Sequence, residues 1–331
     1  VAFFVAIFLG ILLLASAGLN VLLLLLSIGS LAGGGLGDAD GVPYDEVHVA
    51  GVRGGKDKVL QIAIRGAIAE GGSAVLGAPG GTVSQVKRGL RQAAADDVLG
   101  VLFYIDSPGG GVTDSDEIWR LVRKFRREHP QKPVVALFGD MAASGGYYVG
   151  AACERITAHR STITGSIGVI MSAWNFGEAA KKYGVEQVAI KSERTPFKDI
   201  LSPTRAMRDD EKALLTGIVD ELLDQFITVV DEGRDQLDRA AATKVATGAI
   251  FTAKQALELG LVDEIGDIDT VVAWFGQKLG RPVNLVEARR RAGLGDLLFG
   301  AFGQKPAEAA LTDLLTSSTG PRFLYYWQGG R

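Results

Sequence analysis

Apolar positions change their spacing twice along this chain. From Val1 to Ile28 they are almost continuous, and the first charged residue is Asp38. A run of that length crosses the roughly 30 Å hydrocarbon layer of a membrane as a helix, so residues 1–31 are expected to form a transmembrane anchor. Ala15-Ser16-Ala17 offers a competing signal-cleavage pattern, but cutting there would leave Val21 to Leu26 as a bare apolar terminus. Residues 32–57, rich in Gly and Asp, read as a linker. The first charges after the span are Asp38, Asp40, Asp45 and Glu46, and the first basic residue is Arg53. That order fits a C-terminal domain facing away from the cytoplasm.

From residue 58 the pattern alternates between short apolar runs and amphipathic stretches. Val59 to Ile64 predicts a strand and Val83 to Ala95 a helix with a Lys/Arg face. Between them Ala67 to Gly81 carries five glycines and reads as a loop. Leu99 to Ile105 is the unbroken apolar run that a strand covered on both faces requires. Asp114 to Glu128 predicts a helix, Val134 to Phe138 another buried strand, and Gly145 to Ala152 a helix. Arg155 to Ala158, Ser166 to Met171 and Gln187 to Lys191 predict further strands. Gly177 to Tyr183, Asp209 to Gly233, Lys254 to Leu259 and Thr270 to Leu279 predict helices. Phe323 to Trp327 predicts either a last strand or an exposed apolar arm. The alternation implies an α/β domain over 58–280 with a largely parallel sheet, followed by a C-terminal extension over 281–331.

Composition adds little that is positive. With 35 Lys and Arg against 38 Asp and Glu, the net charge of −3 gives no reason to expect nucleic acid as a partner. Cys153 is the only cysteine and lies beside Ala151 and Ala152, so it predicts a buried position and no disulfide. No metal or cofactor is implied.

Two Gly-rich turns fall at the carboxyl ends of predicted strands, where open α/β sheets build their sites. The first, Asp106-Ser-Pro-Gly-Gly-Gly111, lets backbone N–H groups face a ligand with no side chain in the way. The second places Ser144 between the Val134 strand and the Gly145 helix, where its hydroxyl projects from the sheet end. Gly110 N–H and Gly145 N–H are candidates for an oxyanion hole beside it. A serine nucleophile needs a base. His48 falls in the linker and His129 at a helix end; His159, after the Arg155 strand, is the one histidine near core elements. Lysine is the other option. Lys198, flanked by Phe197 and near Ile200 and Leu201, would have to lose a proton held at about 10.4, and desolvation must supply that. Its ordinary alternative is a loop ammonium paired with Asp199. Ser166, in Thr164-Gly-Ser-Ile-Gly168, could hold the lysine amine or be a plain turn serine.

Ser-Pro-Gly-Gly (107–110), Met-Ala-Ala-Ser-Gly-Gly-Tyr-Tyr (141–148), Thr-Gly-Ser-Ile-Gly-Val (164–169), Lys-Asp-Ile-Leu-Ser-Pro (198–203) and Gly-Leu-Val-Asp-Glu-Ile-Gly (260–266) resemble, in order and spacing, signal peptide peptidases of the SppA type. The first two are shared with ClpP proteases, which pair serine with histidine; the Lys198 stretch separates the two groups. The resemblance covers roughly Val59 to Leu279. It implies a ClpP/crotonase-like superhelix of strands and helices, a Ser144–Lys198 dyad with Ser166 holding the amine, and an oxyanion hole from the Gly110 and Gly145 amides. It also implies a serine endopeptidase acting on hydrophobic peptides such as released signal peptides, and a membrane-anchored homo-oligomeric ring in which neighbouring protomers supply Ser and Lys. The chain holds one copy of the catalytic half, as in the short form. The stretch Glu193 to Pro196 departs from the family pattern, which leaves Lys191 as an alternative base, and the tail after Arg281 matches only near Pro321 to Trp327. A crotonase-like acyl-CoA enzyme would use the same amides without Ser144 or Lys198, and a membrane scaffold would need none of these residues.

Overall fold

The computed structural model describes residues 44–70, 81–290 and 323–326, together with seven helical positions between residues 10 and 20. Contacts divide the chain at Asp45/Glu46. The expected anchor, residues 1–31, lies outside the described residues apart from those seven helical positions; among the described residues no helix is long and apolar enough to cross a membrane.

The strands are β1 (Tyr44–Gly51), β2 (Lys58–Arg65), β3 (Val98–Ser107), β4 (Gly109–Gly111), β5 (Val134–Ala143), β6 (Arg155–Ala158), β7 (Ile163–Gly165), β8 (Ile170–Met171), β9 (Ile250–Thr252), β10 (Glu264–Ile265), β11 (Asn284–Arg290) and β12 (Phe323–Tyr326). The helices are α1 (Thr82–Ala93), α2 (Val112–Glu128), α3 (Gly145–Gly150), α4 (Gly177–Lys182), α5 (Asp209–Gly233), α6 (Arg239–Val245), α7 (Ala253–Glu258) and α8 (Ile268–Leu279). The main sheet runs β1-β11-β2-β3-β5-β6-β10, with β7 continuing beside the end of β5 and pairing in turn with β9. Pairings among β11, β2, β3, β5, β6, β7 and β10 are parallel. A second, three-stranded sheet has the order β4-β12-β8.

Strand periodicity explains the layering. In β3, Val101, Phe103 and Ile105 join one buried cluster while Leu102 joins another; in β5, Val134, Ala136 and Phe138 divide from Val135 and Leu137 in the same way. The two clusters are the two faces of the sheet. The first is covered by α1 (Val83, Val86, Leu90), α2 (Ile118, Val122, Phe125), α3 and the C-terminal half of α5 (Phe226, Val229, Val230). In α1 and α2 the set recurs at three- or four-residue steps, and in α5 Val229 and Val230 lie three and four residues after Phe226, the spacing of one helical face. The second face is closed by α8 through Val271 and Phe275. Asp267 starts α8 by accepting the Thr270 N–H (3.0 Å), and Gly280 ends it at φ 67°. Burying rings such as Phe103 and Phe275 contributes about 1.5–3 kcal/mol each.

Four sequence expectations are corrected here. The linker contains β1, whose Tyr-Asp-Glu-Val-His-Val run mixes polar and acidic residues among few apolar ones beside flanking glycines. The tail after Arg281 contains β11, which lies inside the main sheet next to β2, so the domain reaches past residue 280. Ser166 to Met171 is not one strand but the gap between β7 and β8, with β8 at its end. Gln187 to Lys191 forms no strand, and its alternate apolar residues Val188 and Ile190 are 77% and 96% exposed. Cys153 is buried as expected, and burial pushes its thiol up to about 12.

Candidate active site

Where β3 and β5 part, their register shifts, so that Ser107 stands opposite Ala142. Two side chains fix the split. Asp106 Oδ1 accepts the Met141 N–H (3.1 Å), and Ser107 Oγ accepts the Gly109 N–H (3.1 Å). The turn through Pro108 then lays β4 alongside Ile68, whose N–H donates to the Gly109 carbonyl and whose carbonyl accepts the Gly111 N–H, both at 2.9 Å. A Cβ on Gly110 would come within 1.9 Å of the Ile68 carbonyl oxygen, so only glycine fits there.

Ser144 closes β5 and opens α3. It is 1% exposed, sits at φ 54° and ψ −117°, and its hydroxyl does not cap the helix. A non-glycine residue at such a φ costs on the order of 1–3 kcal/mol and is held there by its surroundings. The holders are visible. The Ser144 N–H donates to the Gly165 carbonyl (2.8 Å), and the Tyr148 N–H donates to the Ser144 carbonyl (2.9 Å). Helix α3 is buried along its whole length, with Tyr147 Oη donating to the Leu261 carbonyl and Tyr148 Oη to Asp116, each at 2.9 Å. Burial pushes the Tyr147 phenol far above its ordinary range, so it stays a proton donor to that carbonyl. A Cβ on Gly146 would meet the Ser107 carbonyl at 2.8 Å, so this glycine lets the helix start approach the β3 end.

Ser166 is one residue past Gly165, the register partner of Ala143, and its φ is 50°. Its N–H donates to the Ala249 carbonyl (2.7 Å). Thr164 Oγ1 donates to the Ala142 carbonyl (2.6 Å), which ties β7 to β5 just before the two serines. Ser144 and Ser166 thus follow the paired ends of β5 and β7, with Gly145 opening α3 and Gly110 in β4 beyond the end of β3.

Lys198 is not joined to them by any hydrogen bond among the described residues. It lies exposed in the turn Thr195 to Leu201, with its N–H bonded to the Thr195 carbonyl (3.1 Å). Nor, among the described residues, does it pair with Asp199, the alternative offered by loop context. Asp199 is held by Lys191 and by Arg205 Nε (3.0 Å). Arg205 extends the network to Glu211, which also accepts the Arg208 N–H (2.9 Å). Arg205 first and Lys191 second keep the Asp199 carboxyl well below the usual carboxylate range, and Arg205 does the same for Glu211. Lys191 also donates to the Pro196 carbonyl (2.9 Å), which ties the loop across five residues. Among the described residues three non-glycines have positive φ: Ser144, Ser166 and Leu201, the last at 62° and three positions after Lys198. The His159 N–H donates to the Phe138 carbonyl (3.3 Å), His129 lies tilted against Phe125 with ring centroids 4.7 Å apart, and His48 Nδ1 lies 2.8 Å from Asn284 Oδ1.

Sequence reading missed what the Gly260 to Gly266 motif does. Asp263 binds the buried Arg234 through two contacts (2.7 and 2.9 Å) and accepts the Ile156 N–H (2.7 Å), joining the α5 exit to β6. No local signal pairs residues so far apart.

A buried serine at positive φ therefore closes a parallel strand at its carboxyl end in this α/β fold. Residues 126–280 match the family model of peptidase family S49, a span that includes Ser144, Ser166 and Lys198. The chain is 38% identical over 232 residues to a candidate protease of Synechocystis sp., covering 70% of this chain and 78% of that one. It is 35% identical to a candidate signal peptide peptidase SppA of Enterococcus faecium (63% of this chain, 60% of that one) and 30% identical to Protease 4 of Haemophilus influenzae (72% and 37%). It thus spans less than two thirds of the latter two proteins. Among solved structures it is similar to a point mutant of the 1510-N membrane-bound stomatin-specific protease (16% identity, 66% of this chain and 84% of that one, TM-score 0.43). The chain belongs to peptidase family S49, the family of SppA signal peptide peptidases.

Proposed function

We propose that the protein is a membrane-anchored serine endopeptidase of the signal peptide peptidase type, with a ClpP/crotonase-like catalytic domain outside the cytoplasm and a Ser144–Lys198 dyad. The observation that carries this reading is Ser144 itself: buried, strained, with its hydroxyl unused by the helix, and adjoining Ser166 at the end of a paired strand. Neutral Lys198 takes the Ser144 proton, the alkoxide attacks a peptide carbonyl, and the Gly110 and Gly145 amides donate to the oxyanion. The amine leaves with a proton returned from Lys198, and water then releases the acyl group by the reverse sequence. Lowering a lysine from about 10.4 to near neutrality costs on the order of 4 kcal/mol, which desolvation must supply.

Within one chain Lys198 is exposed, so that desolvation comes from a second copy. The same arm carries Trp174, Phe176, Tyr183, Val185, Val188 and Ile190 exposed, an apolar surface of the kind that oligomers bury. A homo-oligomeric ring in which one protomer's Lys198 reaches its neighbour's Ser144 accounts for both features. Hydrophobic peptides, released signal peptides among them, are the substrates. The test is a purified-protein assay on a hydrophobic peptide, with Ser144→Ala and Lys198→Ala alongside. Both variants are expected to lose activity; full activity in either one rejects the dyad, and activity on an acyl-CoA thioester instead would favour a crotonase-type reaction.

A further inference from the structure

Lys198 and Asp199 are neighbours in the chain, and a lysine and an aspartate in one turn attract each other. A carboxylate so close is the wrong companion for a general base, because it favours the ammonium form. The structure gives this carboxylate to other cations. Asp199 Oδ1 accepts from Lys191 Nζ, and Oδ2 accepts from Arg205 Nε (3.0 Å). Arg205 Nη2 also donates to the Asp199 main-chain carbonyl (3.0 Å), and Nη1 donates to Glu211 Oε2 (2.8 Å), a fully buried carboxylate on the first turn of α5. Lys191 Nζ donates in addition to the Pro196 carbonyl (2.9 Å), two residues before Lys198.

The other charges around the turn leave Lys198 in largely cationic company. Arg208 lies over the Phe197 ring (5.6 Å from its centroid), donates to the Pro196 carbonyl (3.3 Å) and holds Asp210 (3.0 Å). From the α4 side, Lys181 is paired with Glu178 (3.0 Å), and Glu186 lines the cavity that Asp199 and Arg205 share. Glu193 and Arg194 in the loop, with Asp209 and Lys212 on α5, complete the set. Of the carboxylates only Asp199 adjoins Lys198 in the chain, and both of its oxygens are occupied by cations other than Lys198. Among the described residues the Lys198 amine has no hydrogen-bonded or ion-paired partner.

Resting on the assignment of Lys198 as the base, we propose that Lys191 is a positioning residue that draws the Asp199 carboxylate away from Lys198, with Arg205 holding the other oxygen. Its role is electrostatic. Lys191 leaves the base without a counter-ion and adds a positive charge to its loop, and both effects favour the neutral amine that takes the Ser144 proton. The loop's own charges thus supply part of what desolvation would otherwise have to supply alone.

The test compares pH profiles of kcat/KM on a hydrophobic peptide for the full chain, for Lys191→Met, for Asp199→Asn and for the double variant. Lys191→Met should move the rising limb up by about one unit, with up to about a tenfold loss below the limb and none above it. Asp199→Asn should not move the limb upward, and the double variant should return it to its original position or below. A loop that Lys191 merely ties together would be loosened further by the second substitution. A limb unmoved in Lys191→Met, or still displaced in the double variant, therefore overturns the proposal. The dyad reading fails separately, through full activity in Lys198→Ala; loss of activity at every pH in Lys191→Met beside it would make Lys191 the base. A second measurement needs no turnover. In the Ser144→Ala protein, the pH dependence of Lys198 acetylation by acetic anhydride, read by peptide mass spectrometry, follows the ionisation of that amine directly. The same upward shift in Lys191→Met and its reversal by Asp199→Asn are expected, and equal titration in all four proteins rejects the proposal whatever the peptidase assay gives.

Discussion

Ser144 and Ser166 are the first residues beyond a shared strand pairing, Ala143 against Gly165, and both stand at positive φ, 54° and 50°. One backbone bond, from the Ser144 N–H to the Gly165 carbonyl at 2.8 Å, locks the two ends together. Strain repeated at adjoining strand ends marks a place where the fold holds side chains against their own preference. If Ser166 holds the base, Ser166→Ala should lower kcat/KM about 10–100-fold, the equivalent of about 1.5–3 kcal/mol for a hydrogen bond to a charged group. Ser166→Gly suits the backbone better but lacks the hydroxyl, and it should fall equally. Peptidase kinetics on both variants decide the matter: activity kept by Gly and lost by Ala would assign the effect to backbone shape alone.

A shared dyad makes an unusual kinetic prediction. If Ser144→Ala and Lys198→Ala proteins are each inactive as expected, a mixture co-assembled from unfolded or detergent-dissociated chains should recover roughly a quarter of wild-type activity, the chance that an intact serine meets an intact lysine across a random interface. A mixture as inactive as its components would place both residues of the dyad in one chain.

Asp263 should prove structural. It is the partner of Arg234, a side chain only 3% exposed, and Asp263→Ala leaves that guanidinium buried without its carboxylate. Breaking such a pair costs about 3–5 kcal/mol, which for a domain of this size lowers the thermal midpoint by on the order of ten degrees. Calorimetry on the purified variant reads the loss, and activity per folded molecule should be retained well below the midpoint.

The loop carrying Lys198 is clamped through Asp199, Arg205 and Glu211, and the clamp has a definite acid limit. Both carboxyls are held below their ordinary values of 3.8 and 4.5 by Arg205, with Lys191 adding to Asp199. A depressed carboxyl contributes stability above its unfolded value and loses it only as pH falls through the lower folded one. Limited proteolysis across residues 185–208 should therefore be equally slow at pH 7 and pH 5, whereas Asp199→Asn should be cut faster at both. Opening of the native loop by pH 5 would count against the clamp.

The sequence was most legible where the local pattern and the tertiary environment agree. Leu99 to Ile105 reads as a two-faced strand because both faces of β3 are covered, and the α2 and α5 stripes read as helices because one side of each is buried. Ser144 and the Ser-Pro-Gly-Gly turn were legible because the glycines they need are written into the chain. The reading failed where the partner lies elsewhere. The alternation of Val188 and Ile190 has the strand period but is left exposed among the described residues, and no strand forms. β1 pairs with β11, and β11 in turn with β2, from opposite ends of the domain, and nothing in either segment announces the pairing. Lys198 could be named from its motif, but no rule of spacing shows which serine it serves.

The position of β11 sets an order of events. It lies between β1 and β2, and the contact of His48 with Asn284 joins residues 236 positions apart. During synthesis β2 and β3 can associate early, but β2 keeps one edge open, with an apolar face beside it, until the last strand of the main sheet has been made. Contacts of such sequence separation form slowly, and an open edge is a template for the wrong partner. The nascent domain thus passes through an interval in which it presents an unpaired strand edge beside an apolar face, the backbone surface to which an extended peptide of the kind it is proposed to cut could add.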